Sequence, residues 1–70
     1  MSNYNDYVTN IKQILKSQYN YTDNEINKNI NTDDTKELLQ DSYESYQSDN
    51  EDIKATATPQ SVASTITMLM

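Results

Sequence analysis

The sequence predicts a small all-α protein. Apolar residues recur at helical spacing in several separate stretches, and Ser, Thr or Asn stands where those stretches begin. A chain of seventy residues is long enough for one domain at most. We expect a three-helix unit over residues 1–47, a flexible acidic and polar linker over 48–58, and a C-terminal amphipathic docking segment over 59–70.

The first helix has the clearest pattern. Its apolar residues follow the i, i+3, i+4, i+7 rule and form one stripe: Tyr4, Tyr7, Val8, Ile11, Ile14, Leu15 and Tyr19. Ser2 or Asn3 can cap its start. Asn20 stands where a residue in the left-handed conformation would end it. These signals predict a helix over residues 3–19.

A second, short helix is predicted over 23–30. Residues 22–25, Thr-Asp-Asn-Glu, have the spacing of a capping box. Ile26 and Ile30 follow one turn apart, and Asn31 again stands where a left-handed residue would stop the helix. Two isoleucines are too few to hold this helix alone, so we expect it to pack on the first helix.

A third helix is predicted from Thr32, its cap, to Gln47. Two aspartates follow the cap, and their charge complements the positive end of the helix dipole. One face is apolar: Leu38, Leu39, Tyr43 and Tyr46. The opposite face is acidic: Glu37, Asp41 and Glu44. We expect the apolar face to complete the core with the first helix.

The sequence leaves two structures open for the segment that follows the polar linker, a helix and a strand. Residues 48–52 are polar, 55–58 suggest an extended linker, and Thr58-Pro59 is a signal for a helix start. The apolar residues that follow have helical spacing: Val62, Ala63, Ile66, Leu69 and Met70. A strand over 65–68 is the competing assignment, because Thr and Ile favour strands. The segment either docks on a partner as a tethered peptide or folds back over the other helices.

The spacing of the first three helices resembles that of ubiquitin-associated and CUE-type domains. The resemblance covers about residues 8–46: an apolar first helix, a Tyr-Asn-Tyr turn, a capped short helix and an amphipathic third helix. Asn20 stands where those families usually have glycine in the first loop. The ubiquitin-binding loop of those families therefore has no residue-level match in this chain, and the resemblance implies no functional residue.

The residue types that are absent exclude most catalytic chemistry. The chain contains no Cys, His, Gly or Arg, so Cys/His metal sites, histidine-assisted nucleophiles and glycine-rich phosphate loops cannot form. Asp49, Glu51 and Asp52 leave a carboxylate pair or a weak cation site open, but a solvated loop is the simpler reading. We expect no enzyme, cofactor, metal or small-molecule substrate.

We expect an interaction or assembly protein. Leu, Ile and Val number twelve in all, too few for a robust core, so a homo-oligomer or a bound protein partner should supply the missing stability. The expected partner-binding residues are Tyr43, Tyr46, Val62, Ile66, Leu69 and Met70. The tyrosines are equally well explained as the edge of a core. The Asn-, Lys-, Ile- and Tyr-rich composition suggests a phage accessory or virion-associated subunit.

Two other functions remain open. Residues 32–70 carry eight acids and two lysines, which is the whole net charge of −6, so the acidic face could mimic nucleic acid and inhibit a host protein of the anti-restriction or anti-CRISPR type. The weaker alternative is a partly disordered segment that folds on binding. Direct nucleic-acid binding is not expected, because cations are few. Without a membrane span or signal peptide, we expect the host cytoplasm or a virion.

Overall fold

A computed structural model describes residues 3–70, and within that range the chain forms five helices and no strand. They are α1 (Tyr4–Tyr19), α2 (Asp23–Ile30), α3 (Asp33–Tyr46), α4 (Glu51–Ala55) and α5 (Pro59–Thr67). The all-α prediction is confirmed. The three-helix description is wrong, because α4 and α5 add two helices.

Side chains cap the predicted helix starts. Asn3 Oδ1 accepts a hydrogen bond from the Asp6 amide at 2.9 Å and begins α1. The capping box at the start of α2 is complete, with hydrogen bonds in both directions between Thr22 and Glu25. Thr32 caps α3, and Thr58 caps α5 directly before a proline. Each cap satisfies amide donors that the first helical turn leaves free.

The two asparagines that were expected to end helices differ in conformation. Asn20 has φ 61° and ψ 25°, the left-handed conformation, and its N–H donates to the Leu15 carbonyl. The prediction for Asn20 is confirmed. Asn31 ends α2 with φ −82° and ψ −2°, a right-handed conformation. A left-handed stop at Asn31 is therefore wrong. Thr32 N–H donates to the Asn29 carbonyl, so the last turn of α2 runs directly into the cap of α3.

The acidic linker contains a helix that was not predicted from the sequence. Asn50 Oδ1 accepts hydrogen bonds from the amides of Asp52 at 2.9 Å and Ile53 at 3.3 Å, and this cap begins α4. Two acidic residues in its first turn suit the positive end of the helix dipole. The extended linker expected for 55–58 is also wrong, because Ala55 ends α4 and residues 56–57 form a turn.

The core lies between α1 and α5 and is completed by α2 and α3. Its buried side chains are Tyr7, Ile11 and Leu15 of α1, Ile26 of α2, Leu39 of α3, and Val62, Ala63 and Ile66 of α5. The expected packing of α1 against α2 and α3 is present. The last segment folds back on α1 as a helix through Thr67, so the strand assignment for 65–68 is wrong.

Candidate protein-interaction site

Three consecutive large apolar side chains after α5 are exposed to solvent. Met68, Leu69 and Met70 are 83%, 51% and 37% exposed, and we call these three residues the C-terminal surface. The Met68 and Leu69 amides still donate to the Thr65 and Ile66 carbonyls. The backbone is therefore tied to α5 while the side chains face solvent. Contiguous exposed apolar side chains are typical of a site that another molecule covers.

A shallow cleft adjoins this surface. It has a volume of about 490 Å³ and lies between Met70, the turn residue Tyr21, and α2. Glu25 and Lys28 line its polar side. Tyr21 was not among the predicted site residues, because a residue in a turn contributes to no helical stripe. Only the return of α5 places Met70 beside it.

The structure separates the predicted partner-binding residues into three places. Val62 and Ile66 are buried in the core of the chain itself, at 2% and 0% exposure, because their helical stripe packs on α1. In this conformation they cannot contact a partner. Leu69 and Met70 lie on the C-terminal surface. Tyr43 and Tyr46 of α3 are half-buried in a cluster of tyrosines, and neither lines the cleft beside Met70.

Four tyrosines form that cluster: Tyr4, Tyr7, Tyr43 and Tyr46. The rings of Tyr4 and Tyr43 meet edge to face with centroids 5.4 Å apart, and the Tyr7 ring lies 5.3 Å from Tyr43 and 5.1 Å from Tyr46. Pairs at these distances stabilise beyond the area that they bury. The packing of these tyrosines therefore fits the interpretation that they form the edge of the core. Their use by a partner stays a prediction.

The Tyr7 hydroxyl anchors the cluster to the end of the linker. It donates a buried hydrogen bond of 2.6 Å to the Ala57 carbonyl, fifty residues away in sequence. Burial raises the pKa of Tyr7 to about 12, because a charged phenolate would lose its solvation there. On the α4 side, Lys54 Nζ lies 5.2 Å from the centroid of the Tyr46 ring, a cation–π contact. The two contacts fix α4 and the following turn.

The acidic face keeps its charges in solvent. Glu37, Asp41 and Glu44 are all exposed. The ion pair found within residues 3–70 joins Lys16 and Asp23, at 3.1 Å, on a different part of the molecule. Glu37, Asp41 and Glu44 are therefore free to meet cations of another molecule.

The structure also bears on a metal site and on a membrane-spanning helix. Within the range that the structure describes, no group of three acidic side chains is arranged to hold a metal ion. In the same range, no helix combines the length and apolarity that crossing a membrane requires.

Comparison of the chain with known protein families, with curated proteins and with solved structures finds no match. The resemblance of residues 8–46 to ubiquitin-associated and CUE-type domains remains one of helix spacing.

Proposed function

We propose that this protein acts without catalysis, by binding another protein or a further copy of itself through the C-terminal surface. The exposure of three consecutive large apolar side chains, Met68, Leu69 and Met70, is the observation that carries the proposal. Covering their exposed parts is worth on the order of 3–5 kcal/mol at ~1.5–3 kcal/mol for a fully buried side chain. That amount is enough to make the surface a main contributor to a complex.

Methionine suits such a surface. Its unbranched thioether side chain adapts to irregular partner surfaces, and Met-rich patches are typical of binding proteins. The cleft beside Met70 adds an aromatic wall, Tyr21, and a polar rim. Tyr43 and Tyr46, half-buried on α3, are a second and smaller contribution in this proposal. The setting that we propose, a phage accessory or virion-associated subunit in the host cytoplasm or the virion, rests on composition alone.

The test compares binding by matched surface variants. The triple variant M68S/L69S/M70S removes the apolar surface, and I53S removes another exposed apolar side chain, 46% exposed, on α4. Both leave the buried core intact. Sizing by light scattering measures self-association, and quantitative affinity capture from the native source measures bound proteins. We expect the triple variant to lose the oligomer or the captured protein by more than tenfold, and I53S to keep it. Equal retention by the triple variant and the wild type would refute the proposal.

A second candidate function is supported by the exposed, unpaired acidic face. In this reading, Glu37, Asp41 and Glu44 imitate a run of phosphates and occupy the basic groove of a nucleic-acid-binding host protein. Charge reversal to lysine at the three positions would abolish such binding without loss of helicity. Binding would also weaken steeply with added salt. Binding that is indifferent to both changes contradicts this function.

A further inference from the structure

A second cleft, remote from the C-terminal surface, brings together two lysines that are far apart in sequence. It lies between α1, α3 and the end of α2, and its volume is about 430 Å³. Lys12 of α1 and Lys36 of α3 both line it. On the sequence alone, Lys12 belongs to the polar face of the first helix and Lys36 interrupts an acidic one. Packing of α3 beside α1 gives them a common cleft.

The local charge of this cleft is opposite to that of the whole chain. The chain has eleven acidic residues and a net charge of −6, yet within the described part of the chain no carboxylate lines this cleft. Neither Lys12 nor Lys36 takes part in the ion pair found in residues 3–70. Lys12 is half-buried, so its stem lies along the protein. Two lysines without paired acids attract an anion.

The other lining residues define what kind of anion fits. Asn5, Asn31 and Gln40 also line the cleft, and each carries a side-chain amide that can donate two hydrogen bonds. The amides and the two ammonium groups belong to α1, α3 and the turn after α2, and together they offer more donors than the two oxygens of a planar carboxylate use. A tetrahedral phosphate, with more acceptor oxygens, matches donors that come from several directions.

The size and lining of the cleft favour a small ligand. Its volume lies within the range of small-molecule sites. Val8 and Leu39 provide apolar lining beside the polar groups, and Tyr4 also lines the cleft. Two cations are too few to follow a nucleic-acid backbone, which needs a row of them. The net negative charge of the chain also repels a polyanion.

We propose that this cleft binds the phosphate group of a small molecule, with Lys12 and Lys36 as its charged contacts. The phosphate belongs either to an inorganic species or to an organic phosphate whose remaining part lies on the apolar lining. This site is independent of the C-terminal surface, so it stands or fails separately from the proposed function.

The experiment is a titration of the full ¹⁵N-labelled chain with inorganic pyrophosphate at constant ionic strength, followed by amide chemical shifts. We expect saturable shifts at Asn5, Asn31 and Gln40. The double variant K12Q/K36Q should weaken binding at least tenfold. The matched control K16Q/K28Q changes the net charge equally at two exposed lysines outside this cleft, and it should change binding less than twofold.

Three results would overturn the assignment: shifts that do not saturate, equal weakening in the control, or equally tight binding of citrate. Citrate has a similar charge but carries no phosphate. Lys36 is exposed, so K36Q alone provides a variant that keeps the fold, and it should weaken binding about threefold.

Titration with adenosine monophosphate distinguishes an organic phosphate from an inorganic one as the ligand. Tighter binding than pyrophosphate supports an organic phosphate, and weaker binding supports an inorganic one.

Discussion

Replacing Tyr7 with phenylalanine tests the hydrogen bond that ties α1 to the turn before α5. The substitution keeps the ring and its contacts with Tyr43 and Tyr46 and removes only the hydroxyl. The Ala57 carbonyl then loses the donor that lies 2.6 Å away, in a place where Ala57 is 2% exposed. Water cannot readily replace that donor without opening the packing between α1 and α5.

The expected magnitude follows from the burial of both partners. A typical internal hydrogen bond contributes ~0.5–1.5 kcal/mol, and an unsatisfied buried group costs ~1–3 kcal/mol. We therefore expect Y7F to lower the free energy of unfolding by about 2 kcal/mol. For a chain of this length, each kcal/mol corresponds to about 4–8 °C in Tm. The melting temperature should fall by roughly 8–16 °C.

The assay is urea unfolding followed by circular dichroism, with Y43F as the matched control. The Tyr43 hydroxyl accepts a hydrogen bond of 3.0 Å from Gln47 Nε2 in an exposed position, where water can take its place. Y43F should cost less than about 0.5 kcal/mol. If Y7F lowers the free energy of unfolding by no more than Y43F does, the Tyr7–Ala57 hydrogen bond does not hold the linker on α1.

Three further predictions concern pH, the core and a helix end. The folded-state pKa of Tyr7 is raised from 10.0 to about 12, so its contribution to stability is complete below pH 10 and is lost as pH rises from 10 to 12. The stability difference between the wild type and Y7F, measured by urea unfolding at each pH, should be constant below pH 10 and shrink above it. A difference that is unchanged to pH 12 would contradict the raised pKa. I66A removes a side chain with 0% exposure and should cost ~2–5 kcal/mol by cavity formation. M68A, at an 83% exposed position, should lower the free energy of unfolding by less than ~0.5 kcal/mol in the same assay. Equal losses in I66A and M68A would mean that Ile66 of α5 is not part of the core. N20G should be neutral or stabilising and N20V destabilising by ~1 kcal/mol or more, because φ at this position is 61°; thermal melts that show no difference would exclude the left-handed conformation.

Local signals account for the helices that were predicted correctly. Thr22, Thr32 and Thr58 each cap a helix at the predicted position, because a capping hydrogen bond joins residues three apart and needs no distant partner. The amphipathic stripe of α1 is likewise a property of one continuous segment. Its buried residues, Tyr7, Ile11 and Leu15, are all members of the predicted stripe.

Helix α4 has local start signals but no apolar periodicity. Its cap, Asn50, and the acids of its first turn are visible in the sequence. Its single large apolar residue, Ile53, gives no stripe and is 46% exposed, so a search for apolar periodicity does not detect it. A helix of five residues is too short to be stable alone. Here it packs on α3 and is held by the Lys54–Tyr46 contact.

The candidate sites depend even more on tertiary structure. The apolar positions of the last segment were predicted, but Val62 and Ile66 became core while Leu69 and Met70 stayed at the surface. An amphipathic stripe has the same pattern whether it packs on its own chain or on a partner. Thr35 is a similar case. It is fully buried, and its hydroxyl is satisfied by Asn29 Oδ1 at 3.1 Å, a contact that depends on the angle between α2 and α3.

By itself, the sequence determined the all-α class, the caps, the left-handed Asn20 and the uneven charge, because each of these depends on neighbouring residues or on composition. Only the tertiary structure decided that α5 covers α1, that Tyr7 reaches Ala57, and that Lys12 and Lys36 share a cleft. These contacts join residues 24 or more positions apart. Their formation depends on how whole helix faces fit together, and helical periodicity specifies which face is apolar but not which other face will cover it.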